Sequence, residues 1–155
     1  MKLRTLTSVA LLATAVGFAN ANTSVEVPLS GTLPKACGVT AFLDGPFDAL
    51  DMTDTDVQGS ESMSVTCNYG GSASVTFESA NLGKMVSDGN EVPYKLLISG
   101  SPFSTGVSLA SPQTWAGWPA VTNAVQTRSL KVQLDMPAVV AGDYTDTITA
   151  TVVPN

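Results

Sequence analysis

The chain has 155 residues, 44% of them hydrophobic and 13% charged, with 13 acids, seven bases and no histidine. That is one domain's length with apolar residues enough for one core, and it excludes a disordered tail. The missing histidine excludes Ser-His-Asp and Cys-His catalysis and a His-ligated zinc, and the net charge of −6 is the wrong sign for nucleic acid or an anionic membrane surface.

Residues 1–21 read as a secretory signal peptide. Lys2 and Arg4 form a positive start, an apolar stretch follows from Val9 to Phe18, and Ala19-Asn20-Ala21 supplies small residues at the cleavage site. The apolar run is too short for ~30 Å of hydrocarbon, so membrane insertion is not expected. No cysteine follows the cleavage point directly, which argues against a lipoprotein. Cleavage after Ala21 leaves five bases against all 13 acids, a mature charge of −8. The expected destination is an oxidising space outside the cytoplasm.

Residues 22–33 alternate strictly. Val25, Val27, Leu29, Gly31 and Leu33 share one face; Glu26, Pro28, Ser30 and Thr32 share the other. Burying the apolar face is worth about 1.5–3 kcal/mol per large residue, so this segment must dock somewhere. Two readings stand. It is the first strand of its own sandwich, or it is donated to a neighbouring subunit. Pro28 removes one backbone donor, which suits an edge strand or a strand added from outside. Strand addition draws affinity from main-chain hydrogen bonds and specificity from alternate side-chain pockets.

Asp44, Asp48, Asp51, Asp54 and Asp56 follow on a stretch punctuated by glycine. Counted from Asp54, the twelfth position of a calcium loop is Val65, where an EF-hand needs a bidentate Glu, so that motif fails. A solvated acidic loop is the expectation. Carboxylate pairs of the glycosidase kind occur in any acidic protein and carry no weight here.

Beyond this loop the pattern is period two, the mark of half-buried strands. Met63, Val65 and Cys67 form one inward set, and Ala73, Val75 and Phe77 the next. Tyr94, Leu96 and Ile98 follow, then Leu130, Val132, Leu134 and Met136, and last Ile148, Ala150 and Val152. Gly and Pro punctuate between them, as at Gly70-Gly71, Asp88-Gly89 and Gly100-Ser101-Pro102. Short strands with frequent turns predict an all-β sandwich. The strands are too short and too poor in aromatics for an outer-membrane barrel. Trp115 and Trp118, beside Gly117 and Pro119, read as a loop. They are a candidate ligand loop for stacking a sugar, or else a plug for one end of the sandwich. The serines and threonines have no base to activate them.

Cys37 and Cys67 are an even pair in an oxidising compartment, most simply one disulfide closing a loop of about 30 residues.

The ordered set of features resembles subunits of bacterial chaperone–usher pili, most closely the archaic branch related to spore coat protein U domains. The resemblance rests on the signal peptide, the alternating extension, Leu33-Pro34-Lys35-Ala36-Cys37 directly after it, and Ser64-Val65-Thr66-Cys67. Val92-Pro93-Tyr94-Lys95-Leu96-Leu97 and the closing stretch Ala141-Gly142-Asp143-Tyr144 through Val152 complete it. Two features depart from the family: Gly45-Pro46-Phe47 stands where a Phe-Gly dipeptide is common, and no tyrosine sits next to last.

The resemblance implies an incomplete immunoglobulin-like antiparallel β-sandwich (residues 34–155) that lacks its last strand. Val25, Val27, Leu29, Gly31 and Leu33 are then the donor strand, and Ile148, Ala150 and Val152 line the acceptor groove. A periplasmic chaperone, an outer-membrane usher and neighbouring copies or related pilins are the implied partners, and the cell surface the implied destination. Polymerisation is non-covalent, with no enzyme activity and no cofactor. The alternative is a monomeric secreted binding module that takes carbohydrate on the tryptophan loop.

Overall fold

A computed structural model describes residues 24–41, 45–100 and 102–155. The expected signal peptide, the first two residues of the extension and Asp44 lie outside them. The chain divides into two units, one ending at Thr32 and the other running from Leu33 to Asn155. In the first, residues 24–32 carry no regular structure, and Val25, Val27 and Leu29 are exposed.

Among the described residues the second unit has nine strands: β1 (Cys37–Ala41), β2 (Val57–Cys67), β3 (Gly71–Ser79), β4 (Lys84–Ser87), β5 (Asn90–Ile98), β6 (Val107–Ser108), β7 (Gln113–Ala120), β8 (Val125–Leu134) and β9 (Ile148–Pro154). Two short 3₁₀ turns, Pro46–Ala49 and Phe103–Thr105, interrupt them. One sheet runs β1-β2-β8-β5-β4, with β6 against β5; the other runs β7-β3-β9. All pairings of these strands are antiparallel. The architecture is an all-β antiparallel sandwich of the immunoglobulin-like type. No helix among the described residues is long and apolar enough to cross a membrane.

The period-two rows explain the core. Met63, Val65 and Cys67 from β2 face Ala73, Val75 and Phe77 from β3, joined by Tyr94, Leu96 and Ile98 from β5 and by Leu130, Val132 and Leu134 from β8; all are buried. Met136 was expected in this row but is half-exposed, because β8 ends at Leu134 and the chain turns away. The alternation of threonines at 145, 147, 149 and 151 starts before the last strand does. Thr145 pairs with Val86 of β4, and only from Ile148 onward does the chain pair with β3. The crossing from one sheet to the other falls at Asp146.

Cys37 and Cys67 are bonded and sit opposite each other in the β1–β2 ladder. The bridge closes a loop of 30 residues, which contributes about 3–4 kcal/mol by constraining the unfolded chain. It ties the start of β1 to the sandwich, and it belongs to an oxidising, extracytoplasmic environment.

The tryptophan segment is a strand, not a loop, and this corrects the sequence expectation. Trp118 pairs with Ala73 and Trp115 with Val75, so three steps on β7 match two on β3. This bulge puts both rings on the same, inward face, which simple alternation would have split. Their centroids lie 4.9 Å apart, and Phe103 and Phe77 continue the cluster. Trp118 is fully buried and Trp115 is 8% exposed. As an edge strand, β7 tolerates Pro119. The pair is core and offers no exposed stacking platform.

Candidate functional site

Each sheet ends in an unpaired edge, β1 in one and β9 in the other, and a cleft of about 380 Å³ lies between them. Its walls are Val39 and Ala41 of β1 and Ile148 and Ala150 of β9. Its floor is formed by Met63, Phe77, Leu130 and Val132, all of them buried; Val39, Phe47, Leu50, Met85, Ile148 and Ala150 are the half-buried apolar residues of the lining. The lining is dominated by apolar side chains.

The alternation of β9 sets which groups point into this space. Ile148, Ala150 and Val152 are half-buried, while Thr149 and Thr151 are exposed. The face chosen from the sequence is therefore the one turned to the core. Ile148 and Ala150 line the cleft; Val152 shares their face but lies beyond its closed end. The main chain follows the same parity. Ala80 N–H donates to Thr147 O at 2.9 Å, in register with the β3–β9 ladder. Odd-numbered β9 residues thus bond to β3, and the N–H and C=O groups of Ile148, Ala150 and Val152 turn to the open edge.

The two ends of the cleft differ. At the disulfide end β1 and β9 approach each other. Lys35 Nζ donates to the Asn155 carbonyl, and Asn155 N–H donates to Tyr69 Oη at 3.0 Å. Asn155 Nδ2 also bonds Ser72 Oγ (3.1 Å) and the Ala116 carbonyl (2.8 Å), which fastens the last residue to the sheet. The far end is wide, and two carboxyls line it, Glu61 and Asp146.

Asp146 is fully engaged. Its Oδ2 accepts from Tyr94 Oη and Ser79 Oγ, both at 2.6 Å. Its Oδ1 accepts from the N–H groups of Asn81 (3.0 Å) and Thr147 (2.7 Å). Burial, then the hydrogen bond and charge of Asp146, push the Tyr94 phenol well above its ordinary value. This network pins the sheet-crossing residue at the head of β9, and it went unseen in the sequence because its members are up to 67 residues apart.

The acidic stretch builds turns. Asp51 Oδ1 accepts from both the N–H and the hydroxyl of Thr53 (2.8 and 2.7 Å), and these bonds lower its pKa from 3.8. Asp54 Oδ1 accepts from Asp56 N–H at 2.8 Å. Gln58 Nε2 donates to the carbonyls of Asp51 and Asp54 (both 2.8 Å), closing the loop on itself. No cluster of three acidic or cysteine ligands with metal-binding geometry occurs among the described residues.

Val25, Val27, Leu29 and Leu33 are 71–93% exposed, an unusual state for four large apolar residues in alternation. No family model matches the chain, and no curated protein matches its sequence.

Proposed function

We propose that the chain is a structural subunit of a surface fibre of the pilus type, assembled when one copy's residues 22–33 fill the next copy's cleft. The observation that carries this reading is complementarity. One molecule exposes an alternating apolar segment and, separately, an apolar cleft flanked by an unpaired strand edge. Each is costly to leave in water, and each suits the other.

The chemistry of strand addition fits the backbone parity. An added strand whose apolar residues face the core pairs those residues with Ile148, Ala150 and Val152, whose main-chain groups face the open edge. Pro28 lies on the outward face, so its missing N–H removes no bond to β9. Entry starts at the wide end, and occupation of the whole edge requires β1 to part from β9 at the Lys35–Asn155 contact. The disulfide keeps β1 anchored while it moves. No covalent step and no cofactor take part.

In this reading the chain is exported by its signal peptide and a periplasmic chaperone covers the cleft. At an outer-membrane usher the next subunit's segment takes the chaperone's place. The rival, sugar binding through Trp115 and Trp118, requires exposed rings, whereas both are buried.

The test is deletion of residues 22–33. Light scattering and native electrophoresis of the mature chain should show polymers, and the deletion should abolish them while the disulfide forms. Polymers of undiminished size from the deleted chain refute the proposal.

A further inference from the structure

Glu61 is the exceptional residue of the cleft. Alternation along β2 places it in the inward row of Met63, Val65 and Cys67. It is 8% exposed, and its Oε1 has no hydrogen-bond partner among the described residues. The carboxyl rests against Gly45, where a Cβ would stand 1.6 Å from Oε1; a glycine is what makes room for it. The ion pairs among the described residues, Lys84–Glu91 and Lys95–Asp135, are elsewhere. The other carboxyl of the cleft, Asp146, has four donors; Glu61 Oε1 has none. A buried polar atom without a partner is expensive, and a large apolar side chain laid over it seals off the remaining access of water.

We infer that Glu61 sets the register of the incoming strand by accepting over its carboxyl only the donor slot without a side chain, Gly31 of a second copy. The inference rests on the strand-donation reading above. A slip of two residues keeps every apolar residue inward, so the apolar pattern alone does not fix the register. Four of the five inward slots (Val25, Val27, Leu29 and Leu33) would press an aliphatic group onto the carboxyl. Gly31 leaves room for it and for a water.

The direction of the strand agrees. The β7-β3-β9 sheet is antiparallel throughout, and a strand added in the same sense runs opposite to β9. Val25 then lies towards Asn155, and Leu33 towards Asp146. Gly31 is the fourth of the five slots and falls near the wide end, beside Ile148, where Glu61 also lies.

The test is a double-mutant comparison on polymers of the full chain. Gly31→Leu and Gly31→Lys are each combined with wild-type Glu61 and with Glu61→Gln, and polymer dissociation in denaturant is timed. With Glu61 present, Gly31→Leu should speed dissociation at least tenfold. Glu61→Gln should relieve that defect at least threefold and worsen the defect of Gly31→Lys, whose ammonium reaches the carboxyl. Equal defects in both backgrounds overturn the inference. Cysteine pairing gives a reading that needs no change at Glu61. Gly31→Cys should cross-link to Ile148→Cys of the next copy, and a stronger link from Leu29→Cys or Leu33→Cys refutes the register. If Leu29→Asp leaves polymer yield unchanged, the donor reading itself has failed, and the register inference goes with it.

Discussion

Replacing Leu29 by alanine separates the folding of the subunit from its assembly. In the free chain Leu29 is 93% exposed, so the substitution removes almost no native contact. The monomer's unfolding free energy should stay within about 0.5 kcal/mol of wild type. In the proposed polymer the same side chain would be the middle of five inward slots and fully covered. Losing its isobutyl group then costs about 2–3 kcal/mol per junction in transfer and cavity terms. At 1.4 kcal/mol per factor of ten, that is roughly 30- to 140-fold in the stability of each junction. The assay has two arms: thermal unfolding of the monomer followed by circular dichroism, and dissociation of purified polymer in graded denaturant. The expected outcome is an unchanged monomer midpoint with polymers that fall apart at least an order of magnitude faster. A lowered monomer midpoint would show that Leu29 packs within its own chain. Unchanged polymers would show that the segment is not buried at the junction. Either result refutes the reasoning.

Other consequences follow from the same geometry. Trp118→Ala should cost the fold about 3–5 kcal/mol in chemical denaturation, because the ring is fully buried beside Trp115; a loss below 1 kcal/mol would contradict its core role. Cys37→Ser with Cys67→Ser should lower stability by about 3–4 kcal/mol, read from urea midpoints, and a change too small to measure would show that the bridge constrains nothing. Because the Tyr94 pKa is raised above 10.0 in the fold, the stability it contributes is complete below that pH and is lost as pH rises further. Tyr94→Phe should flatten this alkaline loss in denaturation midpoints; an identical slope in both proteins would disprove the linkage. Lys35→Ala removes the side-chain bond to Asn155 that holds β1 to β9. It should speed uptake of a peptide of residues 22–33 several-fold, as followed by fluorescence anisotropy, and an unaltered rate would locate the barrier elsewhere.

What the sequence revealed follows from what each strand requires locally. The rows Met63-Val65-Cys67, Ala73-Val75-Phe77, Tyr94-Leu96-Ile98 and Leu130-Val132-Leu134 each bury one face and wet the other, so period two names both the element and its orientation. The inward face of β9 was legible for the same reason, and the disulfide was legible from an even cysteine pair behind a signal peptide. The tryptophan strand was not. Its bulge breaks the alternation, and Gly117 and Pro119 signal a turn where an edge strand in fact tolerates them. β1 and β4 are four or five residues long, too short for periodicity to register, and they are recognised only by the partners they pair with.

Glu61 teaches the converse. It stands two residues before Met63, in a row otherwise made of Met63, Val65 and Cys67, so the alternation that located the core also pointed a carboxyl into it. Read as a propensity, a glutamate there marks the end of a strand; read as a position, it marks a polar atom that the fold must accommodate. Gly45 accommodates its bulk but leaves Oε1 without a donor. A sequence whose only need was to close this sandwich would favour an apolar residue in that slot, because burying an unpartnered carboxyl costs stability and returns none. On the strand-donation proposal, its presence at the wide end of an open cleft is explained by what enters the cleft rather than by what surrounds it. On the same proposal, the glycine at the matching point of the proposed donor face has the same explanation.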